Sequence, residues 1–187
     1  ADFLYVTNAN LPVTKKILES LPKLKAVVRH GIGYGNIDIK AAKELGIIVS
    51  NCQGFCAEEV STHGVALLLS YIRGIAFSDN WTRSGNWKTI ASKPQVKFAS
   101  IFNKDIGIIG FGNIGKKIYK KLLPYEPKLY IHDPFFNGTK KDDCELVSLN
   151  ELVKNSQYII VACAQTEKNF HLLDEEQFSL MRKDAVI

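Results

Sequence analysis

Short apolar runs alternate with amphipathic stretches along most of the chain. Phe3-Leu4-Tyr5-Val6 reads as a strand, residues 12–21 as a helix with Asn10 or Thr14 near its start, and Ala26-Val27-Val28 as a second strand. Asp38 stands where an N-cap would open a helix over 39–45, and Gly46 stands where a C′ glycine would stop it. Ile47-Ile48-Val49 follows as a third strand. Strand, helix, strand, helix, strand implies a parallel α/β sheet, because parallel neighbours need a crossover between them.

The rhythm then changes. Residues 56–74 carry a long helical pattern through Val60, Gly64, Ala66, Leu67, Leu68 and Tyr71, with Glu58 and Glu59 in a first turn that suits acids. A second helix is predicted over 75–83. Residues 84–103, with Trp87 and Pro94, are looser and polar and read as a connection between domains. Alternation resumes with the strand Ile106-Gly107-Ile108-Ile109, a helix over 113–123, and a strand Lys128-Leu129-Tyr130-Ile131 that ends at His132-Asp133-Pro134. Residues 134–146 read as loop. Ser148 with Glu151 three residues later forms a capping-box pattern for a helix through Val153. Tyr158-Ile159-Ile160-Val161 is a further strand, 174–181 a further helix, and Ala185-Val186-Ile187 opens another apolar run.

Composition narrows the classes. The 187 residues are 46% hydrophobic and 23% charged, enough apolar mass for a sizeable core and unlike disordered or collagen-like chains. No apolar run approaches the roughly 20 residues of a bilayer-spanning helix, so no membrane association is expected. Net charge is +5 and the lysines fall in pairs (Lys15-Lys16, Lys116-Lys117, Lys120-Lys121, Lys140-Lys141) rather than in one aromatic-interleaved patch. That pattern suits solvated helix faces and no nucleic-acid partner. The four cysteines lack C-x-x-C spacing and the four histidines are scattered, so no metal is expected and free thiols in a reducing cytoplasm are.

One motif carries chemistry. Gly110-Phe111-Gly112-Asn113-Ile114-Gly115 matches G-x-G-x-x-G, follows a buried strand and opens a helix, and Asp133 closes the next strand 18 residues beyond Gly115. Gly110 permits a tight turn, Gly112 lets backbone approach a pyrophosphate, and Gly115 lets helix and strand pack closely. Helix N–H groups would hold the phosphates, and the Asp133 carboxylate would accept ribose hydroxyls and repel a 2′-phosphate. The expected cofactor is therefore NAD. The earlier Gly31-Ile32-Gly33-Tyr34-Gly35 also joins strand to helix, but no acid follows the next strand, where Ser50-Asn51-Cys52 stand. It reads as a turn whose N–H groups suit a small anion such as a carboxylate.

These segments together resemble the D-isomer-specific 2-hydroxyacid dehydrogenases. The likeness runs through residues 25–38, 41–51, 58–63, Arg83-Ser84-Gly85-Asn86-Trp87, 107–115, 131–134, 148–152, Thr166 and His171-Leu172-Leu173. It implies a doubly wound, Rossmann-like NAD-binding domain over 54–187 and part of a smaller flavodoxin-like α/β substrate domain over 1–53. It also implies that the backbone of Ile32 and Gly33 lies near the substrate carboxylate. Asn113 and Ile114 would hold the pyrophosphate, and Cys163 and Asn169 would line the cofactor pocket. The chain departs from the family pattern at Ala162-Cys163-Ala164, where His-x-Pro is usual, and at Gly35 and Gln53, where Asp and Pro are common.

The expected activity is hydride transfer between NAD and a small D-2-hydroxy acid or its 2-oxo acid, by a cytoplasmic homodimer. The alternative is an NAD-binding, corepressor-like interaction protein of the same fold. The family's catalytic Arg, Glu and His are expected beyond Ile187, with none in this chain, which reads as the middle of a longer protein. His30, His63, His132 and His171 are expected to serve packing or surface roles, as are Trp81 and Trp87. A short-chain dehydrogenase is disfavoured, since Tyr119 and Tyr130 are followed four residues later by Leu123 and Pro134 rather than Lys.

Overall fold

The computed structural model describes residues 1–92, 98–136 and 144–187. Two compact units divide the chain, Ala1–Cys56 and Ala57–Ile187. Each contains its own parallel sheet.

In the first unit, β1 (Phe3–Val6), β2 (Ala26–Arg29) and β3 (Ile48–Asn51) pair in sequence order, all parallel. The crossovers are α1 (Lys15–Glu19) and α2 (Ile39–Glu44). α1 is shorter than its apolar spacing suggests, because Val13 is drawn into a parallel bridge with Ile37. α2 has the expected ends. The Asp38 carboxylate accepts the Ala41 N–H at 2.9 Å. Beyond the helix, Gly46 (φ +69°) and Ile47 donate N–H bonds to Lys43 and Ala42, closing a Schellman turn that needs a left-handed residue. Val6, Leu18, Leu24, Val27, Ala41 and Ala42 form the core.

The second unit opens with α3 (Ala57–Ile72) and α4 (Ile75–Arg83). Its sheet runs β6-β5-β4-β7, all parallel, from β4 (Asp105–Ile109), β5 (Lys128–His132), β6 (Cys144–Leu146) and β7 (Tyr158–Val161). Val186 bridges Tyr158 in parallel on the far side of β7. Between strands lie α5 (Asn113–Leu122), α6 (Leu149–Asn155) and α7 (Glu175–Leu180). Numbered within the unit, the strand order is 3-2-1-4, that of a doubly wound dinucleotide-binding sheet. Ile106, Ile108, Leu122, Leu129 and Ile131 fill one layer, and Ile109, Leu152, Val153 and Ile159 the other. The capping box at α6 is present, with Ser148 and Glu151 each bonding the other's backbone N–H.

Two expectations are corrected. Residues 144–146, read as loop, form edge strand β6; three residues are too few to show a period, and pairing with β5 decides their state. Residues 137–143, which include Lys140 and Lys141, lie outside the described residues. The described residues of the polar stretch 84–103 fall within the second unit and not between the two. Trp87–Ser92 is a 3-10 turn, the Ala99 N–H donates to Ile72, and Ile101 is buried in the second unit's core. Pro94 lies outside the described residues.

Among the described residues, no single helix is long and apolar enough to cross a membrane. α3 and α4 together pass on length and composition but bend by 61°, and α3 buries Ala57, Ser61, Val65, Leu68 and Ile72. α3 is tied to α5 by Glu58, which pairs with Lys117 at 2.7 Å and with Lys121 one turn further on. Hydrogen bonds from these two amines hold the Glu58 carboxyl down to about 2, from an ordinary 4.5. A depressed folded-state pKa stabilises the fold above the unfolded value, and that contribution disappears as pH falls through the folded one. Wild type should therefore melt above Glu58→Gln at neutral pH, with the gap closing between pH 4.5 and about 2. A pH series of thermal midpoints checks this; a gap independent of pH contradicts it.

Candidate functional site

β4 ends beside β5 on one flank and β7 on the other, so its C-terminal end lies where the winding reverses. Crevices at such switch points are where open α/β sheets take their ligands. The chain leaves β4 through Gly110 at φ +95°, a left-handed conformation. A Cβ there would also stand 2.6–2.8 Å from the backbone and Cβ of Cys163. Glycine is required on both counts. Cys163, two residues past β7, thus abuts the glycine turn directly.

Gly115 sits in the first turn of α5, and a Cβ on it would overlap the Gly110 carbonyl oxygen. That contact is the close helix–strand approach the spacing predicts. Gly112 differs: a Cβ there would meet nothing within 4 Å. Open space therefore faces the middle glycine, beside the N–H groups of Asn113, Ile114 and Gly115. The first N–H groups of a helix have no acceptor within it. The cradle is empty of side chain and lined by donors, which fits a pyrophosphate.

Phe111 fixes the turn from below. Its ring is 5% exposed and packs edge-on against Tyr119 and Phe136. Its N–H donates to Asp133 Oδ2 at 2.6 Å, while Asp133 Oδ1 accepts the Phe135 N–H at 2.8 Å. The acid at the end of β5 is therefore a strut of the glycine turn as well as a carboxylate beside it. Each oxygen keeps a further lone pair for another donor.

Asn169 commits its side chain to the loop after β7. Its Nδ2 donates to the Ala164 carbonyl at 2.7 Å and lies 3.9 Å from Cys163 Sγ, while Oδ1 accepts the Thr166 N–H at 2.6 Å. Burial pushes the Cys163 thiol up, and the nearby Asp133 charge pushes the same way. The thiol is thus protonated at neutral pH. Among the described residues, no group of His, Cys, Asp or Glu could hold a metal ion.

Ile32 and Gly33 belong to the first unit, in the loop after β2, and both are exposed. His30 stacks on Tyr5 and meets the Phe55 ring at a tilt, and His63 lies on the exposed side of α3. His132 Nδ1 meets the Val147 carbonyl at 3.1 Å, and His171 contacts the Phe170 ring. Sequence reasoning missed Phe111 as an anchor, and also Gly107, whose Cβ would lie 2.5 Å from Leu152 and Ser156. Gly107 carried a signal: it is a glycine inside an otherwise β-branched strand, a mark of close approach.

A 3-2-1-4 parallel sheet with this glycine turn, and a carboxylate at the end of the neighbouring strand, defines a dinucleotide-binding domain. The chain belongs to the D-isomer specific 2-hydroxyacid dehydrogenase family, whose NAD binding domain matches residues 65–187. It is 31% identical over 191 residues to a glyoxylate reductase of Pyrococcus horikoshii, covering 97% of this chain and 56% of that protein. It is 36% identical over 186 residues to a hydroxypyruvate reductase of Thermotoga maritima, covering 100% and 58%. The crystal structure of an NAD-dependent formate dehydrogenase from Staphylococcus aureus in complex with NAD superposes with a TM-score of 0.87. That match has 28% identity, over 98% of this chain and 55% of that one. The chain thus spans a little over half the length of these relatives.

Proposed function

We propose that the protein containing this chain is an NAD-dependent oxidoreductase that interconverts a small D-2-hydroxy acid and its 2-oxo acid. One observation carries the reading most: open space and free helix N–H groups face Gly112, while Asp133 braces the same turn. In this reading residues 57–187 are the cofactor domain and residues 1–56 part of the substrate domain. Asn113, Ile114 and Gly115 bind the pyrophosphate through their N–H groups, and Gly110 and Gly115 keep that turn tight against the sheet. Asp133 accepts the adenosine ribose hydroxyls and repels a 2′-phosphate. Cys163 and the loop stiffened by Asn169 wall the crevice on the β7 side. When bound, the nicotinamide supplies a hydride acceptor or donor. No proton-transferring residue is assigned within this chain.

The substrate end of the reading is the loop after β2, where the backbone of Ile32 and Gly33 receives the acid's carboxylate. Glyoxylate and hydroxypyruvate, the substrates in the names of the two relatives above, are the first to try. The similar proteins named above are reductases and dehydrogenases, and no observation favours the corepressor-like alternative. The test is NADH oxidation by the full-length protein with each oxo acid, alongside NADH binding by fluorescence. Saturable binding with turnover of either acid supports the proposal. Binding without turnover of any small 2-oxo acid rejects the enzymatic part, and absence of binding rejects it altogether.

A further inference from the structure

β2 alternates half-buried and buried positions, and alternation places Arg29 on the same inward face as Val27. Arg29 is only 6% exposed. Buried guanidinium groups are ordinarily matched by a carboxylate, because an unpaired buried charge is costly. Here no carboxylate pairs with it among the described residues. Its Nη1 instead donates to the carbonyls of Val6 and Thr7, each at 3.1 Å, and to that of His30. Its Nε has no partner. A positive charge is thus held at the C-terminal end of the sheet, directly under Gly31, where a Cβ would come within 3.5–3.6 Å of the guanidinium.

The loop above it is tied by its oxygens. Arg29 takes the His30 carbonyl, the Cys52 N–H takes that of Gly31 at 3.1 Å, and Asn51 Nδ2 takes that of Ile32 at 2.7 Å. Three successive carbonyls are therefore held by donors of the protein itself. In a trans peptide the C=O and the following N–H point in opposite directions. Fixing those carbonyls turns the N–H groups of Gly31, Ile32 and Gly33 away from those donors. Among the described residues, no acceptor takes the Ile32 or Gly33 N–H. Around Gly33 a Cβ would meet nothing within 4 Å. Successive free backbone N–H groups over a buried cation suit an anion seat.

We infer that Arg29 and Asn51 are positioning residues for the substrate's carboxylate: they hold loop carbonyls so that the Ile32 and Gly33 N–H groups face the anion, and Arg29 adds an uncompensated positive charge beneath it. This rests on the functional reading above for the identity of the substrate, but its geometry lies wholly within residues 1–56. Neither residue touches the acid in this arrangement. Their effect is therefore on oxo-acid affinity and not on cofactor affinity.

The experiment compares the full-length wild type with Asn51→Ala, Arg29→Lys and Arg29→Met. Asn51 is half-buried at the end of β3, outside the apolar core, and its loss spares that core; Lys keeps the charge of Arg29 while losing its fork of donors. With glyoxylate or hydroxypyruvate, Asn51→Ala and Arg29→Met are expected to raise KM by about ten- to a hundredfold, the size of a lost charged or polar contact. The NADH Kd should stay within about twofold, because no cofactor contact is changed. Arg29→Lys should recover part of the loss. The second arm is independent of turnover: oxamate, a 2-oxo acid mimic, is titrated against the amide resonances of Ile32 and Gly33. Saturable shifts in wild type that weaken in Asn51→Ala support the inference. Unshifted amides, an unchanged KM in folded Asn51→Ala, or equal losses in KM and NADH Kd overturn it. If wild type turns over no 2-oxo acid, the functional reading falls and the oxamate arm alone decides the seat.

Discussion

Gly115→Ala is expected to cost both stability and cofactor. The added Cβ would overlap the Gly110 carbonyl oxygen and approach its carbonyl carbon at 3.0 Å, so backbone must give way against backbone. Overpacking of this kind costs about 1–3 kcal/mol. It also pushes the first turn of α5 away from the end of β4, and with it the N–H groups that would hold the pyrophosphate. A thermal midpoint several degrees lower and an NADH Kd weakened about a hundredfold or more are the expected pair of readouts. Gly112→Ala separates the two effects. Its Cβ would meet no protein atom within 4 Å, so folding should be untouched while the methyl group fills the space a pyrophosphate needs. Wild-type melting with about tenfold or greater loss of NADH binding is expected. Normal NADH binding by Gly112→Ala would show that the ligand does not sit over the middle glycine.

Asp133→Asn carries the second large effect. The carboxylate accepts the Phe111 N–H at 2.6 Å and the Phe135 N–H at 2.8 Å. Hydrogen bonds to a charged acceptor are worth about 1.5–3 kcal/mol, roughly ten- to a hundredfold in an equilibrium constant. The amide keeps an acceptor oxygen but loses the charge and the second acceptor, so the turn loses support, and with it the ribose contact proposed above. NADH binding should weaken about ten- to a hundredfold. NADPH binding should weaken less, or improve, because the charge that repels a 2′-phosphate is gone. Dissociation constants for both cofactors test this. An unchanged ratio between them would remove Asp133 from the ribose position.

The glycine motif was legible because two of its glycines answer steric demands of the turn itself, and such demands leave a trace in residue type. Gly110 needs a positive φ, and Gly115 needs the absence of a Cβ. The caps at Asp38 and Ser148 were legible for the same reason, since a short polar side chain meets a helix N–H within three residues. β6 left no such trace. Its strand state comes from pairing with β5, a partner well before it in sequence. Arg29 and Asn51 were invisible as a pair for a related reason. They stand 22 positions apart, and only the parallel register that sets Arg29 beside Asn51 brings both to the same end of the sheet.

The sequence alone determined the α/β class, most elements and their caps, the glycine turn and its acid, because these depend on side-chain period and on contacts a few residues long. Tertiary structure decided the rest. Parallel pairing put Asp133 under the Phe111 N–H, set Cys163 against Gly110, and held three loop carbonyls above a buried arginine. Such contacts join residues distant along the chain, and their free energy comes from packing and charge in three dimensions rather than from any local pattern.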